Sequence, residues 1–554
     1  MAISPNQLQA AFTAAQNLQQ AGRFAEAERA WIDLDKTAPG RAGILTNLAM
    51  VQWQMGAHDE AEAAAARAIE AGPEMVQAHA IHAAVAEARG ADEEAIERYE
   101  RALELKPDLG TVLHCLSNLH RRAGDLAKAR EYANRMVEAT PGTAAAHDAL
   151  GAILLATGDL DEADPVLSRA AKIDPNLASA RANLGALFAE QRKWSTALEH
   201  LDAALAIDAS MADAHNNRGN VLISLGRPKE AEDAYIRALE LSPKFADAKF
   251  NQALLWLRQG KWSEAWPGFE ARWQTRQLAP FQRSFEEPMW DGTPEPDKSV
   301  LLHAEQGMGD MLMVARYLPM MTERVGRVVV ECQSELRALI NAMTGDFNCF
   351  TSGGGLPAFD MHLPAMSLPR VFKTTPQTIP WDGPYVAAPE GSATELPEGE
   401  GLKVGLVWTG SPLNPTNSDR SLPLASLASL LNVEGCRFFS LQQGPPGNEI
   451  VNAELGDRIV DMRPWMPNFA ATATIIAKID LVVTVCTSVA HLAGAMGKPV
   501  WILLSADADW RWLMESDDTL WYPSARLFRQ SELGEWDDPV ARISIALNKC
   551  VTGR

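Results

Sequence analysis

The first half of the chain carries small and helix-breaking residues in a pattern that repeats every 34 residues. Alanine stands at one position of all eight repeats, at Ala27, Ala61, Ala95, Ala129, Ala163, Ala197, Ala231 and Ala265. Glycine comes five residues earlier in seven of them, at Gly22, Gly56, Gly90, Gly124, Gly158, Gly226 and Gly260. Arg192 takes its place in the remaining repeat. A fixed period of this length is typical of stacked helix pairs.

Each recurring residue type within the repeat has a physical role in a helix pair. Glycine ends the first helix, because it adopts the left-handed backbone that closes a helix without strain. The small alanine lets two helices approach closely, and a proline such as Pro73 or Pro107 starts the next unit. The period therefore predicts an α-solenoid over residues 1–274, with about eight repeats and an extended binding face.

From Ser299 onward, short β-rich apolar runs alternate with helical stretches. The predicted strands are Val300–Leu302, Val328–Glu331, Val404–Trp408, Arg437–Leu441, Leu481–Val485 and Val500–Leu504. The predicted helices are Asp310–Glu323, Ser334–Met343, Leu424–Leu431, Asn468–Ile479 and Ser488–Met496. This alternation predicts an α/β region of parallel sheets with helices on both faces.

A proline- and glycine-rich gap, 376–401, divides the α/β region into two predicted lobes, 298–390 and 401–554. Residues 275–297 are rich in proline and charge and predict a linker between the repeats and the first lobe. Four tryptophans near this junction are predicted to be packing residues: Trp262, Trp266, Trp273 and Trp290.

Composition and charge exclude several classes of function. The net charge is −21, and neither half of the chain is basic, which argues against nucleic acid or an anionic membrane as the main partner. The six cysteines are scattered and form no CxxC, so neither a zinc site nor a disulfide framework is expected. No signal peptide and no membrane-length apolar run is recognisable, so we expect a cytoplasmic location.

The most distinctive turn is "LHAEQGMGDMLMVAR", which follows the first predicted strand of the α/β region. Gly307 and Gly309 bracket it and allow backbone to come close to a ligand. Asp310 lies at the mouth of the following helix, where it acts either as a helix cap or as a catalytic base. The pattern is not that of a dinucleotide site, since the third glycine would fall on Leu312.

Three further turns follow predicted strands. "KVGLVWTGSPLNPTNSDRSLPL" contains the small-residue turn Gly410 and Ser411, and then Arg420. "FFSLQQGPPGNE" contains Gln442. In "IDLVVTVCTSVAHLAGAMGKPVWILL", Thr487 and Ser488 begin a helix whose hydroxyls and free amides suit a phosphate.

Together with "EQGMGDMLMVARYLP", "TSVAHLAGAMGKPVW" and "DWRW…WYPSARLFRQ", these turns resemble the bacterial tetratricopeptide-repeat proteins that carry a C-terminal GT-B glycosyltransferase domain. That domain is similar to the heptosyltransferases. The resemblance implies a two-lobed fold, with the nucleotide sugar in the C-terminal lobe and the acceptor toward the N-terminal lobe. It also implies inverting transfer without a metal or other cofactor.

By the same resemblance, Asp310 falls where the heptosyltransferases place their catalytic base. An inverting transfer needs a base to take the proton of the acceptor hydroxyl as the nucleotide leaves. The negative charge that develops on the leaving nucleotide needs positive or dipolar partners. Arg420, the Thr487 and Ser488 amides and His491 are the candidates, and His491 is alternatively a satisfied core histidine.

The remaining residues of the predicted site have more open roles. Gly410 and Ser411 are expected to line the sugar or phosphate, and Gln442 to meet the nucleotide base. Arg316 points either at the cleft or at solvent. Cys486 stands where relatives commonly carry an acid, which puts donor identity or activity in question. The sequence Asp507-Ala508-Asp509 looks like a metal motif but is interpreted as structural.

Asparagines share one register on the first helices of several repeats. Asn183, Asn217 and Asn251 form the continuous part of this series, which Asn47 also joins. They resemble the ladder of O-GlcNAc transferases that holds extended acceptor polypeptide, because an amide can donate to and accept from a peptide group at once. The alternative is a helix-to-helix hydrogen bond.

The leading functional hypothesis is a protein O-glycosyltransferase that moves a sugar from a CMP- or UDP-linked donor to serine or threonine. Flagellin glycosyltransferases share this arrangement, and some use a CMP-activated nonulosonic acid such as pseudaminic acid, so flagellin is a candidate acceptor. Two alternatives stay open. One is a repeat scaffold with a catalytically degenerate domain, and the other is a glycan- or lipid-directed transferase.

Overall fold

A computed structural model describes residues 4–305, 307–389, 395–412, 414 and 416–553. The chain divides into two compact units, Met1–Val221 and Leu222–Arg554. Each unit is built in a different way, and each is described by itself. Within the described residues, every helix falls short of the length or the apolar content needed to span a bilayer.

The helical repeats run through the first unit and into the second. Their helices are α1 (Pro5–Gln20), α2 (Phe24–Thr37), α3 (Ala42–Gln54), α4 (His58–Ala71), α5 (Val76–Ala88), α6 (Asp92–Leu105), α7 (Gly110–Arg122), α8 (Leu126–Ala139), α9 (Ala144–Thr157), α10 (Leu160–Ile173), α11 (Ala178–Glu190), α12 (Trp194–Ile207), α13 (Ala212–Ser224), α14 (Pro228–Leu241), α15 (Ala246–Arg258) and α16 (Trp262–Phe269). The predicted solenoid of helix pairs is confirmed.

The residues that define the period occupy the same environments in every repeat. All eight alanines of the period are completely buried. The seven glycines have φ between +69° and +81°, and Arg192 has φ +60° in their place. The repeat geometry therefore imposes a left-handed residue at this turn even where the sequence does not supply a glycine.

The second unit contains two parallel sheets. The first consists of β1 (Glu295–His303), β2 (Val325–Cys332), β3 (Phe347–Thr351) and β4 (Met361–Pro364), in the order β3-β2-β1-β4. The second consists of β5 (Leu402–Val407), β6 (Cys436–Ser440), β7 (Ile459–Asp461), β8 (Leu481–Val485), β9 (Val500–Leu504) and β10 (Ala525–Arg529), in the order β10-β9-β8-β5-β6-β7. This confirms the predicted α/β region.

Helices follow the strands of both sheets, and the last helix comes after the last strand. They are α17 (Met308–Val314), α18 (Leu318–Thr322), α19 (Ser334–Asn341), α20 (Leu368–Val371), α21 (Asn417–Arg420), α22 (Ala428–Leu431), α23 (Glu449–Asn452), α24 (Phe469–Lys478), α25 (Ser488–Ala495) and α26 (Asp537–Thr552). Short 3₁₀ turns include Glu270–Gln274, Ala315–Tyr317 and Trp510–Trp512.

Both sheets have the strand order of a doubly wound fold. In each sheet the first strand in the chain lies inside, the next two extend to one side, and the following strand lies on the other side. The order therefore reverses between β1 and β4 in the first sheet and between β5 and β8 in the second. In open α/β sheets, ligands bind outside the carboxyl ends of the strands at such a switch point.

An aromatic core joins the last repeat helix to the α/β region. Trp262 stacks on Trp521 with ring centroids 5.2 Å apart, and Trp266 packs edge-on against Trp510 at 5.7 Å. Trp262, Trp266 and Trp290 are buried, as predicted for packing residues. By period α14–α16 belong to the repeats, but by packing they belong to the second unit. The compact units consequently divide within α13 rather than at the end of the period.

Candidate functional site

The turn after β1 holds Asp310 by a local contact. Gly307 is the N-cap of α17, and its backbone amide donates to the Asp310 carboxylate. A Cβ at Gly307 would lie 2.9 Å from Asp310 Oδ2, so a side chain there would displace the carboxylate. The cap interpretation of Asp310 therefore describes part of its role.

Asp310 also makes a contact that the sequence did not predict. Arg511 Nη2, which follows β9 of the second sheet, donates to Asp310 Oδ1 at 2.6 Å. The Asp310 side chain is 31% exposed and that of Arg511 10%. Burial raises the pKa of Asp310, while Arg511 opposes this rise. The carboxylate thus lies where the two sheets meet, as a candidate base requires.

Arg511 belongs to a wider ionic cluster. Its Nη1 donates to Asp509 Oδ1 at 2.8 Å, and Asp509 also caps the backbone amide of Arg511 at 3.0 Å. Burial disfavours the charged guanidinium, but Asp509 and Asp310 outweigh burial and raise the Arg511 pKa. Arg511 is therefore a fixed positive charge beside the candidate base.

The two aspartates of the Asp507-Ala508-Asp509 motif pair with different arginines. Asp507 accepts a hydrogen bond from Arg258 of α15, and Asp509 pairs with Arg511. Among the residues that the structure describes, no cluster of three or more histidine, cysteine or carboxylate groups has the geometry for a metal ion.

His491 connects α25 of the second sheet to α17 of the first. Its Nδ1 lies 2.9 Å from Tyr522 Oη, and its ring stacks on Trp512 with centroids 5.3 Å apart. A Cβ at Gly309 would lie 2.7 Å from His491 Cδ2, so Gly309 is needed for the approach of the two helices. Burial, and then Arg511, lower the His491 pKa to about 3. This environment is that of a neutral, packed histidine.

Cys486 lies one residue beyond β8 and contacts the same cluster. Trp512 Nε1 donates to Cys486 Sγ at 3.1 Å. Burial raises the pKa of the thiol, so Cys486 is a neutral group at this position. The position therefore presents no negative charge.

Arg316 points neither at a cleft nor at solvent, which corrects both interpretations of the sequence. It is 4% exposed and donates to the Trp521 carbonyl at 3.0 Å and to Tyr385 Oη at 2.9 Å. Its guanidinium also lies over the rings of Tyr385 and Tyr522, 4.8 and 5.1 Å from their centroids. Arg316 consequently holds the two sheets together through an aromatic box.

In the turn after β5, the Arg420 side chain lies over the backbone of Gly410. A Cβ at Gly410 would lie 2.8 Å from both Nε and Nη2 of Arg420, so a side chain there would displace the guanidinium. The Gly410 amide donates to Ser421 Oγ at 3.1 Å, and Ser411 is exposed beside it. Arg420 is close enough to Cys486 and His491 to lower the pKa of both. A cation thus lies at the switch point of the second sheet.

The Gln442 side chain holds the backbone of this turn in place by hydrogen bonds. Its Oε1 accepts from the amides of Trp408 and Thr409 at 3.1 and 2.9 Å. Its Nε2 donates to the carbonyls of Thr409 and Gln443, both at 3.0 Å. All hydrogen-bonding positions of this buried side chain are used, so Gln442 shapes the turn instead of reaching a nucleotide base.

The helix α25 begins at the switch point of the second sheet, as predicted. Thr487 is its N-cap residue, and its hydroxyl lies 3.1 Å from that of Thr484. Thr487 and Ser488 are half-buried. The first amides of a helix lack intrahelical acceptors, which suits an anion at this edge of the sheet.

The asparagines of the shared register have different surroundings. Asn183 Nδ2 donates to Asp148 Oδ1 at 2.8 Å, which is a hydrogen bond between helices of neighbouring repeats. Asn217 Oδ1 lies 3.5 Å from Asn216 Nδ2, and Asn47 donates to the Gly43 carbonyl of its own helix. Asn217 and Asn251 are half-buried. The helix-to-helix alternative thus describes Asn183.

Sequence reasoning missed Glu305 and Arg272. Arg272 is 2% exposed and forms a two-pronged pair with Glu305, at 3.0 Å from Nε and 2.9 Å from Nη2. Burial raises the pKa of Glu305, and Arg272 opposes this rise. Glu305 belongs to the turn quoted from the sequence, so its carboxylate could have been noted there as a candidate. Its partner Arg272 lies 33 residues earlier in the chain, so no local pattern indicates the pair.

Comparison with known proteins identifies the helical repeats. Tetratricopeptide repeat models match residues 12–75, 46–109, 116–178, 149–214 and 212–245. The repeats of this chain are therefore tetratricopeptide repeats, a class that indicates a peptide or protein partner.

Similar proteins cover parts of the chain. Protein FlbA of Caulobacter vibrioides (strain ATCC 19089 / CIP 103742 / CB 15) is 26% identical over 339 residues, which are 52% of this chain and 53% of FlbA. The chain thus spans about half the length of that relative. Among solved structures, the APC/C hetero-tetramer Cut9–Hcn1 is 18% identical, with a TM-score of 0.39 over 44% of this chain and 48% of the other. A thermophilic TPR protein in Thermus thermophilus is 25% identical, with a TM-score of 0.30 over 33% of this chain and 99% of the other.

Proposed function

We propose that this protein is a glycosyltransferase that moves a sugar from a nucleotide-activated donor to serine or threonine of a polypeptide. The observation that carries the proposal is the 2.6 Å pair of Asp310 and Arg511. It puts a carboxylate from the switch-point turn of one doubly wound sheet against the second doubly wound sheet. Two such sheets that meet at their strand ends have the organisation of a GT-B fold.

In the proposed reaction, Asp310 is the general base. It takes the proton of the acceptor hydroxyl while that oxygen forms a bond to the anomeric carbon and the bond to the nucleotide breaks. A pKa raised by burial suits this role, because it makes the carboxylate a stronger base than an exposed aspartate. No metal is needed for these steps.

The second sheet supplies the proposed donor site. Arg420 over Gly410 and the first amides of α25 lie at the ends of β5 and β8. A cation and a helix N-terminus are suitable partners for the phosphate that leaves with the nucleotide. His491 has a packing role in this scheme, since it is neutral and its Nδ1 is engaged by Tyr522.

The acceptor and the donor are finer parts of the same proposal. The tetratricopeptide repeats favour a polypeptide acceptor. Flagellin glycosyltransferases share the arrangement of repeats followed by a GT-B domain that the quoted turns resemble, which makes flagellin the candidate acceptor. This resemblance also makes a CMP-linked nonulosonic acid of the pseudaminic type the first donor to test, with UDP-linked sugars next.

Two observations favour a second candidate, a repeat scaffold without catalysis. The Asp310 carboxylate is already paired with Arg511, and Cys486 presents a neutral thiol where relatives carry an acid. If Arg511 does not leave Asp310 when substrates bind, the carboxylate does not reach an acceptor hydroxyl.

The first experiment separates the two candidates by nucleotide binding and transfer. Full-length protein is unfolded thermally with CMP, UDP, GDP or ADP, and transfer to a polypeptide is followed by the mass of the product. A nucleotide at ~100 times its dissociation constant adds roughly 2.7 kcal/mol. This raises the melting temperature of the second unit by roughly 5–10 °C, at about 2–4 °C per kcal/mol.

Asp310→Asn then tests the base. We expect transfer to fall by roughly 10²- to 10⁴-fold with nucleotide binding retained. The matched control is Asp461→Asn, which breaks the Asp461–Arg463 pair of equal length, 2.6 Å, and similar exposure, 29% for Asp461. If the Asp310→Asn variant transfers sugar at the wild-type rate, Asp310 is not the base. Absence of both nucleotide binding and transfer in the wild-type protein supports the scaffold.

A further inference from the structure

The repeat array ends in a short turn, Glu270–Gln274, that contacts the α/β region through one buried arginine. Arg272 in this turn is 2% exposed. Its guanidinium donates to three side chains: Glu305, Glu270 and Ser367. We name these four side chains the array-end clamp. A buried guanidinium needs carboxylates that compensate its charge and acceptors for its N–H groups, which fixes the geometry around it.

The array-end clamp joins three segments of the chain. Arg272 Nε and Nη2 donate to the two oxygens of Glu305, which follows β1, at 3.0 and 2.9 Å. Arg272 Nη2 also donates at 2.9 Å to Ser367 Oγ, in the 3₁₀ turn that follows β4. Ser367 Oγ donates in turn to Glu270 Oε2 at 3.0 Å. The clamp therefore fastens the end of the repeats to the carboxyl ends of β1 and β4.

Glu305 connects the array-end clamp to both sides of the proposed base. In the chain, Glu305 lies two residues before Gly307, the N-cap residue whose amide donates to Asp310. In space, Glu305 Oε1 accepts from the Met366 amide at 2.9 Å. The Met366 sulfur lies 3.9 Å from Arg511 Nη2, the nitrogen that donates to Asp310. The clamp thus holds both the turn that carries Asp310 and a residue that contacts its partner.

Charge is a second link between the array-end clamp and Asp310. Burial is the main influence on the Asp310 pKa and raises it. Two cations then lower this pKa and two carboxylates raise it: Arg511 and Arg272, and Asp509 and Glu305. His491, which packs on the same helix, is neutral and adds no charge. Loss of the Glu305 charge is therefore expected to lower the Asp310 pKa.

We propose that Arg272 is a positioning residue that holds Asp310 in place through Glu305, so that the end of the repeat array forms part of the proposed active site. A base that acts on a bound hydroxyl must keep one orientation, and a buried arginine fork between rigid segments supplies that constraint. The catalytic role of the clamp rests on the proposed function. Its hold on the turn that carries Asp310 does not.

Three variants of the full-length protein test the array-end clamp. Arg272→Lys keeps the charge but loses the planar fork that holds both oxygens of Glu305. Glu305→Gln keeps the size of the side chain and removes its charge. Glu270→Gln is the matched control, because Glu270 pairs with the same guanidinium but lies outside the turn that leads to Asp310.

Two measurements need neither donor nor acceptor. Hydrogen exchange of α17, followed by mass spectrometry, should be at least ~10-fold faster in Arg272→Lys than in wild type or Glu270→Gln, because a charged hydrogen bond is weakened. The pH dependence of the unfolding free energy, measured with and without Asp310→Asn, gives the pKa of Asp310 in the folded protein. We expect Glu305→Gln to lower this pKa, because it removes a carboxylate that acts on Asp310.

The third measurement is transfer from the CMP- or UDP-linked donor that the wild-type protein uses. We expect Arg272→Lys to lower kcat roughly 10- to 100-fold without a change in KM for the donor, since a misplaced base slows the chemical step and not donor binding. Glu270→Gln should match the wild type in kcat. A merely structural role of Arg272 would lower the fraction of folded protein in both variants and leave kcat per folded molecule unchanged.

Several results would overturn the proposal. Exchange of α17 that is equal in Arg272→Lys and Glu270→Gln does so, as does an Asp310 pKa that Glu305→Gln leaves unchanged. Wild-type kcat in Arg272→Lys also overturns it. If Arg272→Lys does not fold, the titration of Asp310 in Glu305→Gln decides. If both donor-free results hold but the wild-type protein transfers no sugar, the proposed function fails while the hold of the clamp on Asp310 stands.

Discussion

The two units of this protein use opposite strategies to bury apolar surface. In the first unit each helix packs on the helix that follows it, so contacts join residues close in the chain. In the second unit the decisive contacts are distant, since Arg511 meets Asp310 across 201 residues and Arg316 meets Trp521 across 205. A repeat array can therefore be read from local period, whereas the candidate site exists only when distant turns meet.

The units also differ in how far their ion pairs are exposed to solvent. In the first unit, ion pairs such as Arg23–Glu26 lie at the surface, with side chains 57% and 54% exposed. Such pairs add little to stability, because solvent screens both charges. In the second unit the Arg272–Glu305 pair is buried, with side chains 2% and 9% exposed. Removal of one partner of a buried pair costs roughly 3–5 kcal/mol, because it leaves the other charge unpaired.

The largest expected effect comes from removal of a buried indole in each unit. Trp262 and Trp31 are both almost fully buried, and each change to alanine should cost roughly 3–5 kcal/mol. We expect Trp262→Ala to lower hydrogen-exchange protection throughout both sheets, because its ring lies in their shared aromatic core. Trp31→Ala should lower protection in α1–α4 only, since repeats communicate through nearest neighbours.

Peptide-resolved hydrogen exchange by mass spectrometry checks both outcomes, with Trp465→Ala as the exposed control. The contrast between the units fails if Trp31→Ala reduces protection as far as α12. It also fails if the effect of Trp262→Ala is confined to α15 and α16.

A smaller effect concerns the pH dependence of stability in the second unit. The pKa values of His303 and His491 are lowered to about 3 from 6.5 in the folded protein, mainly by burial. Between these values the unfolded chain binds more protons than the folded one, so stability falls as pH falls below about 6.5. Each histidine contributes up to ~1.4 kcal/mol per pH unit. The raised pKa values of Asp310 and Glu305 act in the opposite direction.

Urea unfolding of the second unit at pH values from 7 to 5 measures this slope. His491→Gln should reduce the slope of the unfolding free energy against pH by the contribution of one histidine. His303→Gln should reduce it by a similar amount. A slope unchanged in both variants would show that these histidines are protonated in the folded protein.

The smallest expected effect tests the repeat geometry. Arg192→Gly should stabilise the first unit by roughly 0.5–1 kcal/mol, because φ +60° strains any residue with a Cβ. The loss of the arginine's own contacts offsets part of the gain. The matched reverse change, Gly158→Arg, places arginine at φ +80° where no atom would hinder its Cβ, and should cost about 1 kcal/mol. Denaturant midpoints of the two variants check both signs, and equal midpoints would mean that the turn is not strained.

The sequence predicted the interior of both sheets and missed their edges. The six predicted strands correspond to β1, β2, β5, β6, β8 and β9, which all have a strand on either side. The four strands that were not predicted, β3, β4, β7 and β10, are the four edge strands. Interior strands are buried on both faces and show as apolar runs, whereas short edge strands carry polar residues and give a weak pattern.

The candidate site was predicted in the same uneven way. Gly307, Gly309, Asp310, Gly410 and Arg420 lie after strands, in the turn or in the first helix that follows, as predicted, because a strand followed by a glycine turn is a local signal. Their partners were not predictable. Nothing near Arg511 in the chain indicates that its guanidinium pairs with Asp310, and nothing near Gln442 indicates that it supports the turn at Gly410.

By itself, the sequence determined the tetratricopeptide repeats, the parallel α/β region and the turns that carry its polar groups. These features depend on the repeat period and on the backbone preferences of short segments, so residues close together in the chain are enough to indicate them. The tertiary structure alone decided that Asp310 is paired and that His491 and Arg316 are packed between the sheets. It also decided that Trp273 Nε1 is buried without a hydrogen-bond partner among the residues that the structure describes. Burial and pairing are set by whichever distant groups meet, because the energy of a charge or a donor depends on its surroundings and not on its chain neighbours.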